Sequence, residues 1–333
     1  MKQRKLGQDG PMVSEISLGC MSFGGIYGET QHDESFACLD AAWDAGINIL
    51  DVAEIYGANL CEQIIGDWQK SRKKQFHIAT KGGIVMGAER GKTDNTEAGL
   101  RKMLTGSLNR LGVDFVDLYY VHRRQFDLPI EEVTLTLAKF VKEGLIGGFG
   151  FSEVAPSSLR RAHAVHPVAA IQNEYSLWTR QPELGMLQAC RELGTTFVPF
   201  SPLGRGILGD HILEPQNFRD TDFRQNQPRF LEPNFSANEA IVKQFREFCA
   251  DRGWTTAGAA IAWTLDQGDN LIPIPGTRTA AHLLEWADAD QISFTDDDRV
   301  PHCQPVGIGS VLVFRYFDCG PVWLAPVWRS AVR

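Results

Sequence analysis

Short apolar runs alternate with longer segments of mixed polarity along most of the chain. In the longer segments, apolar residues recur three and four positions apart, which predicts helices with one buried face. The segment 96–111 shows this spacing at Leu100, Met103, Leu104, Leu108 and Leu111. The short apolar runs between such segments predict buried strands.

The predicted strands and helices follow one another in regular alternation. Strands are predicted at 15–20, 48–52, 76–81, 116–122, 146–152, 169–174, 196–201 and 271–275. Helices are predicted at 34–46, 59–70, 96–111, 131–143, 157–164, 183–193, 238–252, 256–267 and 280–290. Eight strands, each followed by a helix or a long loop, predict an α/β fold of the (β/α)8 TIM-barrel type, for which about 250 residues plus insertions are usual.

Three segments stand outside this alternation. Residues 3–14, with Asp9-Gly10 in the turn, predict a hairpin that closes one end of the barrel. The polar segment 210–235 is long for a loop in a compact domain and predicts a functional insertion or a lid. Because no linker interrupts the chain, 1–333 is expected to form a single barrel domain with an atypical tail at 301–333.

The tail combines large apolar side chains, among them Phe314 and Trp323, with prolines at 301, 305, 321 and 326. The prolines exclude one long regular helix, and so many apolar groups are expected to pack against protein. Three hypotheses are open: a lid that helps to form a substrate pocket, a subunit contact, and a tail from an aberrant reading frame. We favour the lid.

Composition excludes several classes of function. Hydrophobic residues make up 43% of the 333 residues, which is enough for the core of a soluble globular protein. The formal net charge of -8 argues against nucleic acid as the main partner. Seven scattered cysteines without a CxxC pair indicate free thiols in a reducing compartment. Neither a signal peptide nor an apolar run of about 18 residues is present, so we expect a cytoplasmic protein that does not associate with membranes.

Ionisable groups stand at the ends of three successive predicted strands. Asp51, Lys81 and His122 end these runs, and Tyr56 follows five residues after Asp51. The carboxyl ends of the strands of a parallel barrel share one face, where catalytic groups collect. Taken singly, an aspartate at a strand end is more often a helix cap, and a tyrosine before a glycine often packs at a turn. The joint position of the four residues favours a catalytic site.

These four residue types indicate proton transfer to or from a carbonyl or an alcohol. A neighbouring ammonium lowers the pKa of a tyrosine, so Lys81 is expected to make Tyr56 a usable general acid near neutral pH. Asp51 is expected to keep Lys81 charged, and His122 to orient the substrate oxygen.

The segments DVAEIYG, IATKGG and DLYYVH resemble those that supply the Asp, Tyr, Lys and His tetrad of the aldo-keto reductases. SEISLGCM, IQNEYSLW, VPFSPLGRG and IPGTR extend the resemblance over about residues 3 to 290. It implies a barrel that binds NADP(H) without a Rossmann domain and reduces a small-molecule aldehyde or ketone to an alcohol. The tetrad is then Asp51, Tyr56, Lys81 and His122.

The resemblance also implies a set of cofactor contacts. It places the nicotinamide at Ser152, Gln172 and the ring of Phe200, the pyrophosphate at Ser201, Leu203 and Arg205, and the 2′-phosphate at Gly276, Thr277 and Arg278. Because an arginine fork suits a phosphate, NADPH is expected over NADH. The adenine segment departs from the family pattern, since Trp286 stands where relatives carry asparagine.

Two other motifs predict no site. Gly204-Arg-Gly-Ile-Leu-Gly209 matches the Rossmann fingerprint, but the irregular polar segment that follows does not predict the helix that a Rossmann unit requires. His163 and His166 form H-x-x-H on a predicted helix without an evident third ligand, so no metal site is expected.

Two competing functions remain open. One is a lyase or aldolase that forms a Schiff base at Lys81, and the other is a regulatory subunit that binds the cofactor with little turnover. The identity of the substrate, the preferred direction and the oligomeric state cannot be predicted from the sequence.

Overall fold

Seven parallel strands lie side by side in chain order in the computed structural model, which describes residues 1–89, 91–220 and 222–299. They are β3 (Leu18–Gly19), β4 (Ile49–Asp51), β5 (His77–Gly82), β6 (Val116–Val121), β7 (Ile146–Ser152), β8 (Ala170–Glu174) and β9 (Thr196–Phe200). The helices between them are α1 (His32–Asp44), α2 (Leu60–Arg72), α3 (Glu97–Leu111), α4 (Ile130–Lys142), α5 (Pro156–Val165) and α6 (Met186–Glu192). After β9 come α7 (Asn234–Ala250), α8 (Thr256–Asp266), α9 (Ala280–Leu284) and α10 (Asp296–Arg299). The predicted TIM-barrel fold is confirmed.

The segment 271–276 closes the barrel, although the predicted eighth strand is not a regular strand. On one side Ile272 N and Ile274 N donate to β9 carbonyls, each at 3.0 Å. On the other side the carbonyls of Pro273 and Pro275 accept from residues 17 and 19, at 3.0 and 2.9 Å. Both prolines lack the N–H that a ladder towards β3 needs, so only the isolated bridge between Gly19 and Gly276 forms on that side, and the contacts with β9 are isolated bridges as well.

The predicted N-terminal hairpin consists of β1 (Gln3–Lys5) and β2 (Met12–Ser14), which pair antiparallel. Leu6 and Val13 are buried in one cluster with interior residues of the barrel strands. Gly7 N donates to the hydroxyl of Thr196, the first residue of β9, at 2.8 Å. The hairpin therefore closes the end of the barrel where strands begin, which leaves their carboxyl ends for the site.

Two predicted helices are interrupted. The predicted helix 183–193 is a 3-10 turn, Gln181–Leu184, followed by α6, and Gly185 separates the two with a φ of 138°. The predicted helix 280–290 ends at Leu284 and is followed by a separate 3-10 turn, Ala289–Gln291. Among the described residues of the polar segment 210–235, only short 3-10 turns precede α7. The tail 301–333 and the hypotheses attached to it lie outside the described residues.

A buried ion pair joins α2 and α3 behind β5. The fully buried Glu62 accepts from the Thr80 hydroxyl at 2.6 Å and from Arg110 Nε at 2.7 Å. Arg110 also lies 3.6 Å from the carboxylate of Glu54. Because Thr80 directly precedes Lys81, this network holds β5 in place next to the site.

We expect Glu62→Ala to lower the free energy of unfolding by about 3 kcal/mol, the lower end of the cost of breaking a buried pair. The lower end applies because Arg110 retains the carboxylate of Glu54 as a partner, and because the side chain of Arg110 is 18% exposed. Urea unfolding measures the change. Glu97→Ala, which removes a half-exposed surface partner of Arg101 and Lys139, is the control and should have a much smaller effect. Equal losses in the two variants would contradict a special role for the buried pair.

Among the described residues, no helix is both long and apolar enough to cross a bilayer.

Candidate active site

The four predicted catalytic residues lie at the carboxyl ends of neighbouring strands. Asp51 is the last residue of β4, Lys81 is the penultimate residue of β5, and His122 directly follows β6. Tyr56 lies in the turn between β4 and α2. Because β4, β5 and β6 pair in parallel, their ends bring these side chains to one rim of the barrel.

Asp51 and Lys81 form an ion pair with no solvent access at the ammonium. Lys81 Nζ contacts Asp51 Oδ1 and also donates to the Val52 carbonyl at 2.9 Å. The second carboxylate oxygen of Asp51 accepts from Gln172 Nε2 at 2.7 Å. The lysine side chain is 0% exposed. The pair is therefore held in one arrangement by partners on both sides.

Tyr56 lies between the lysine and the histidine. Lys81 Nζ is 5.1 Å from the centroid of the Tyr56 ring. The rings of Tyr56 and His122 meet edge to face, with centroids 5.7 Å apart and planes at 82°. The phenol and the imidazole therefore lie side by side at the rim.

Burial raises the pKa of Tyr56, and the opposing effect of the Lys81 charge does not cancel it. The expectation that Lys81 brings the pKa of Tyr56 below its usual value is thus wrong for this structure. The lysine does act in the predicted direction, but desolvation of the phenolate is the larger effect. Tyr56 is therefore protonated near neutral pH.

The two neighbours of Tyr56 have opposite pKa shifts. Burial by itself lowers the pKa of Lys81, but attraction to Asp51 and Tyr56 outweighs it, so the pKa is raised and the ammonium persists. Burial, reinforced by Lys81 and Arg123, sets the pKa of His122 well below its usual value. His122 is therefore a neutral imidazole, and its buried Nδ1 has no hydrogen-bond partner within the described residues.

Ser152 and Gln172, the predicted nicotinamide contacts, lie opposite each other on β7 and β8. Both are buried. The Ser152 hydroxyl accepts from Arg123 Nη1 at 3.0 Å, and the same nitrogen donates to the His122 carbonyl at 2.6 Å. Arg123 was missed by the sequence analysis, although its position directly after a predicted catalytic residue was a signal.

The predicted pyrophosphate segment follows β9 as an irregular loop. Phe200 ends β9, and the non-glycine residues Ser201 and Arg205 have φ of 52° and 65°. Arg205 lies over the Phe223 ring at 4.9 Å and donates to Glu174 at 3.4 Å. The Rossmann alternative is excluded, because Gly204–Gly206 is a short 3-10 turn and opens no helix.

The long segment after this loop reaches across to the loop that follows β3. The ring of Phe223 meets Tyr27 edge to face at 5.3 Å, and Arg224 lies over the same tyrosine at 4.9 Å. The buried Arg229 donates to Glu174 at 3.2 Å and fastens the segment to the end of β8. These contacts place the predicted insertion beside the barrel mouth.

The predicted 2′-phosphate residues follow the segment that closes the barrel. Gly276 is exposed, Thr277 is buried, and Arg278 Nη1 donates to the Glu29 carbonyl at 3.3 Å. Trp286, in the departing adenine segment, is 1% exposed and belongs to the hydrophobic core. Trp286 therefore offers no surface to an adenine ring.

Comparison with known proteins gives one consistent family. A model of the Aldo/keto reductase family matches residues 15–300. Aldo-keto reductase yakc of Schizosaccharomyces pombe, which carries NADP(+) in its name, is 38% identical over 300 residues, covering 88% of each chain. Probable aldo-keto reductase 1 of Glycine max is 37% identical over 320 residues, covering 94% of this chain and 91% of the relative.

Solved structures agree with the sequence relatives. A glycerol dehydrogenase from Gluconobacter oxydans superposes with a TM-score of 0.80 at 28% identity, covering 98% of both chains. The holo form of an aldo-keto reductase from Bacillus halodurans gives a TM-score of 0.75 at 26% identity, covering 91% of this chain and 95% of that one.

Proposed function

This chain belongs to the aldo/keto reductase family, and from that premise we propose that it is an NADPH-dependent reductase of aldehydes or ketones in which Tyr56 is the proton donor. The observation that carries the proposal is the convergence of Tyr56, Lys81 and His122 on one rim of the barrel. Asp51 forms an ion pair with the ammonium of Lys81.

Each tetrad side chain has a role that follows from its contacts. Bound NADPH supplies a hydride to the carbonyl carbon. The Tyr56 hydroxyl gives its proton to the carbonyl oxygen, and the nearby Lys81 ammonium stabilises the phenolate that this leaves. His122, held neutral by burial, donates a hydrogen bond that orients the substrate oxygen without competing as an acid. Asp51 keeps the lysine charged and in place.

The residues at the rim suit an extended dinucleotide. We assign the nicotinamide carboxamide to the hydroxyl of Ser152 and the amide of Gln172, which pair across β7 and β8, and the nicotinamide ring to Phe200 at the end of the neighbouring strand β9. We assign Ser201, Leu203 and Arg205 to the pyrophosphate, and Gly276, Thr277 and Arg278 to the 2′-phosphate, as the family resemblance implies. We propose that Arg205 exchanges a present contact for phosphate oxygens, which an arginine fork accepts readily.

We expect Arg278→Ala to weaken NADPH binding by about 10-fold or more, the loss of a charge-assisted phosphate contact of about 1.5–3 kcal/mol, and to leave NADH binding nearly unchanged. Fluorescence titration with both cofactors measures the two dissociation constants. Arg161→Ala, which removes an exposed arginine of α5 paired with Glu131, is the control. Equal losses for NADPH and NADH would assign Arg278 to the fold or the pyrophosphate instead.

The Schiff-base alternative is disfavoured by the state of Lys81. A nucleophilic lysine must be a neutral, accessible amine, whereas this ammonium is buried against Asp51 and its pKa is raised. Nothing in the site or among the relatives favours a regulatory subunit.

A panel of carbonyl compounds, followed by NADPH absorbance in both directions, tests the function directly. Tight NADPH binding without turnover of any compound would overturn it.

For location we propose the reducing environment of the cytoplasm. Five cysteines, Cys20, Cys38, Cys61, Cys190 and Cys249, are buried free thiols. Free thiols are typical of proteins kept in reducing compartments, which supports this choice.

A further inference from the structure

Three metal-ligating side chains from two distant parts of the chain converge beside α9. His211 comes from the segment after β9, whereas His282 and Glu285 come from α9 and the residue that ends it. Their ligand atoms all lie within 4.8 Å of one another. His211 Nε2 is 3.2 Å from Glu285 Oε1, and the two imidazole centroids are 5.2 Å apart.

Residues on both sides of this cluster are hydrogen-bonded to the start of α8. The side-chain carboxylate of Asp210, next to His211, accepts from Thr256 N at 2.6 Å and from Ala257 N at 3.2 Å. The carbonyl of Glu285 accepts from the Thr255 hydroxyl at 2.6 Å. Both stretches that carry the cluster are therefore held against the same end of α8.

The chemistry of the cluster fits a divalent transition metal. Two imidazoles and one carboxylate are a common ligand set for Zn²⁺, with one position left for water. Zinc bonds of about 2.0–2.1 Å in a tetrahedron separate neighbouring ligand atoms by about 3.3 Å, close to the 3.2 Å between His211 and Glu285. His282 and Glu285 are three residues apart, which places them on one helical face.

We propose that His211, His282 and Glu285 bind one Zn²⁺ or a similar divalent transition-metal ion. Such an ion joins the segment after β9 to α9. Arg205 lies in the segment after β9, shortly before His211, and Arg278 lies shortly before α9. If the proposed cofactor site is correct, the metal ties together the two phosphate-binding stretches and slows the release of NADPH. This last step rests on the proposed function, whereas metal binding does not.

The binding test uses the full chain, stripped of metal with a chelator and titrated with Co²⁺ and then Zn²⁺ in the absence of cofactor. We expect one ion per chain, with visible absorption from cobalt that zinc abolishes. His211→Gln and His282→Gln should each weaken Zn²⁺ binding by more than roughly 100-fold, because loss of a partner outside the ligand set already costs about 10–100-fold. His32→Gln removes another exposed histidine and should bind as the unmodified protein does.

Unchanged zinc affinity in both ligand variants, or failure of the unmodified protein to bind zinc or cobalt, would overturn the metal site. Circular dichroism of His211→Gln and His282→Gln checks that both variants fold. The cofactor link is tested by stopped-flow release of NADPH, which zinc should slow several-fold in the unmodified protein and leave unchanged in His211→Gln. Normal zinc binding with a zinc-independent release rate would overturn the link alone. An absence of carbonyl reduction would overturn only the proposed function, since zinc is measured without cofactor.

Discussion

Tyr56→Phe is expected to lower turnover by about 10²–10⁴-fold while NADPH affinity stays close to that of the unmodified protein. The phenylalanine keeps the ring that lies edge to face with His122 but has no proton to give. Among the groups at this rim, Lys81 is held as an ammonium by Asp51 and His122 is a neutral imidazole. Neither is arranged to replace the phenol as proton donor.

Single-turnover kinetics with a good carbonyl substrate measure the chemical step, and cofactor titration measures binding separately. Tyr119→Phe is a matched control, because it removes the same hydroxyl from another tyrosine, which is fully buried. The Tyr119 hydroxyl donates to the Leu100 carbonyl at 3.2 Å, outside the catalytic rim. If the turnover rate of Tyr56→Phe lay within a few-fold of that of Tyr119→Phe, this result would contradict the proposed role of Tyr56 as proton donor.

The placement of the tetrad was predictable because it depends on two readable patterns. Apolar runs mark buried parallel strands, and the residues at their carboxyl ends share one face of a barrel. Asp51, Lys81 and His122 meet this condition from the sequence alone, and the structure places them together with Tyr56. The motifs around them identified the family that the comparisons show.

Other features depend on geometry that no local pattern encodes. The segment 271–276 was predicted as a strand from its apolar residues, but Pro273 and Pro275 leave only bridges, and closure depends on carbonyls that face β3. The net pKa shift of Tyr56 depends on burial, which the sequence shows only coarsely. In the cluster of His211, His282 and Glu285, the first residue is far from the other two in the chain. A search for short metal-binding motifs in the sequence therefore could not detect this cluster.

The electrostatics of the rim assign one protonation state to each group. Burial favours the neutral forms of Tyr56 and His122, whereas Asp51 keeps Lys81 charged in spite of burial. The result is a proton donor next to a fixed cation and a neutral hydrogen-bonding group. This arrangement supports proton donation to an oxygen that gains negative charge as hydride arrives.

Lys81→Met should lower turnover by about 10²-fold or more and move the pH dependence upward. Lys81 lowers the pKa of Tyr56, so its loss raises that pKa further. Loss of the cation also favours protonation of Asp51, which raises the pKa of Tyr56 while charged, but this weaker effect offsets only part of the change. The net shift of the pKa of Tyr56 is therefore upward.

The upward shift of the pKa of Tyr56 can be distinguished from a simple loss of activity, and it can be measured in both the oxidation and the reduction direction. Alcohol oxidation needs the phenolate as base, so its rate rises with pH through the pKa of Tyr56, and this limb moves to higher pH. Carbonyl reduction needs the protonated phenol, so its rate falls with pH through the same pKa, and that limb also moves to higher pH. Values of kcat/KM from about pH 6 to pH 11 cover the low-pH part of each limb and show the direction in which it moves. Lys81→Arg, which keeps a cation, should leave them near their original positions even if its rate is low. Limbs that stay in place in Lys81→Met, or that move equally in Lys81→Arg, would show that the charge at position 81 does not set the acidity of Tyr56.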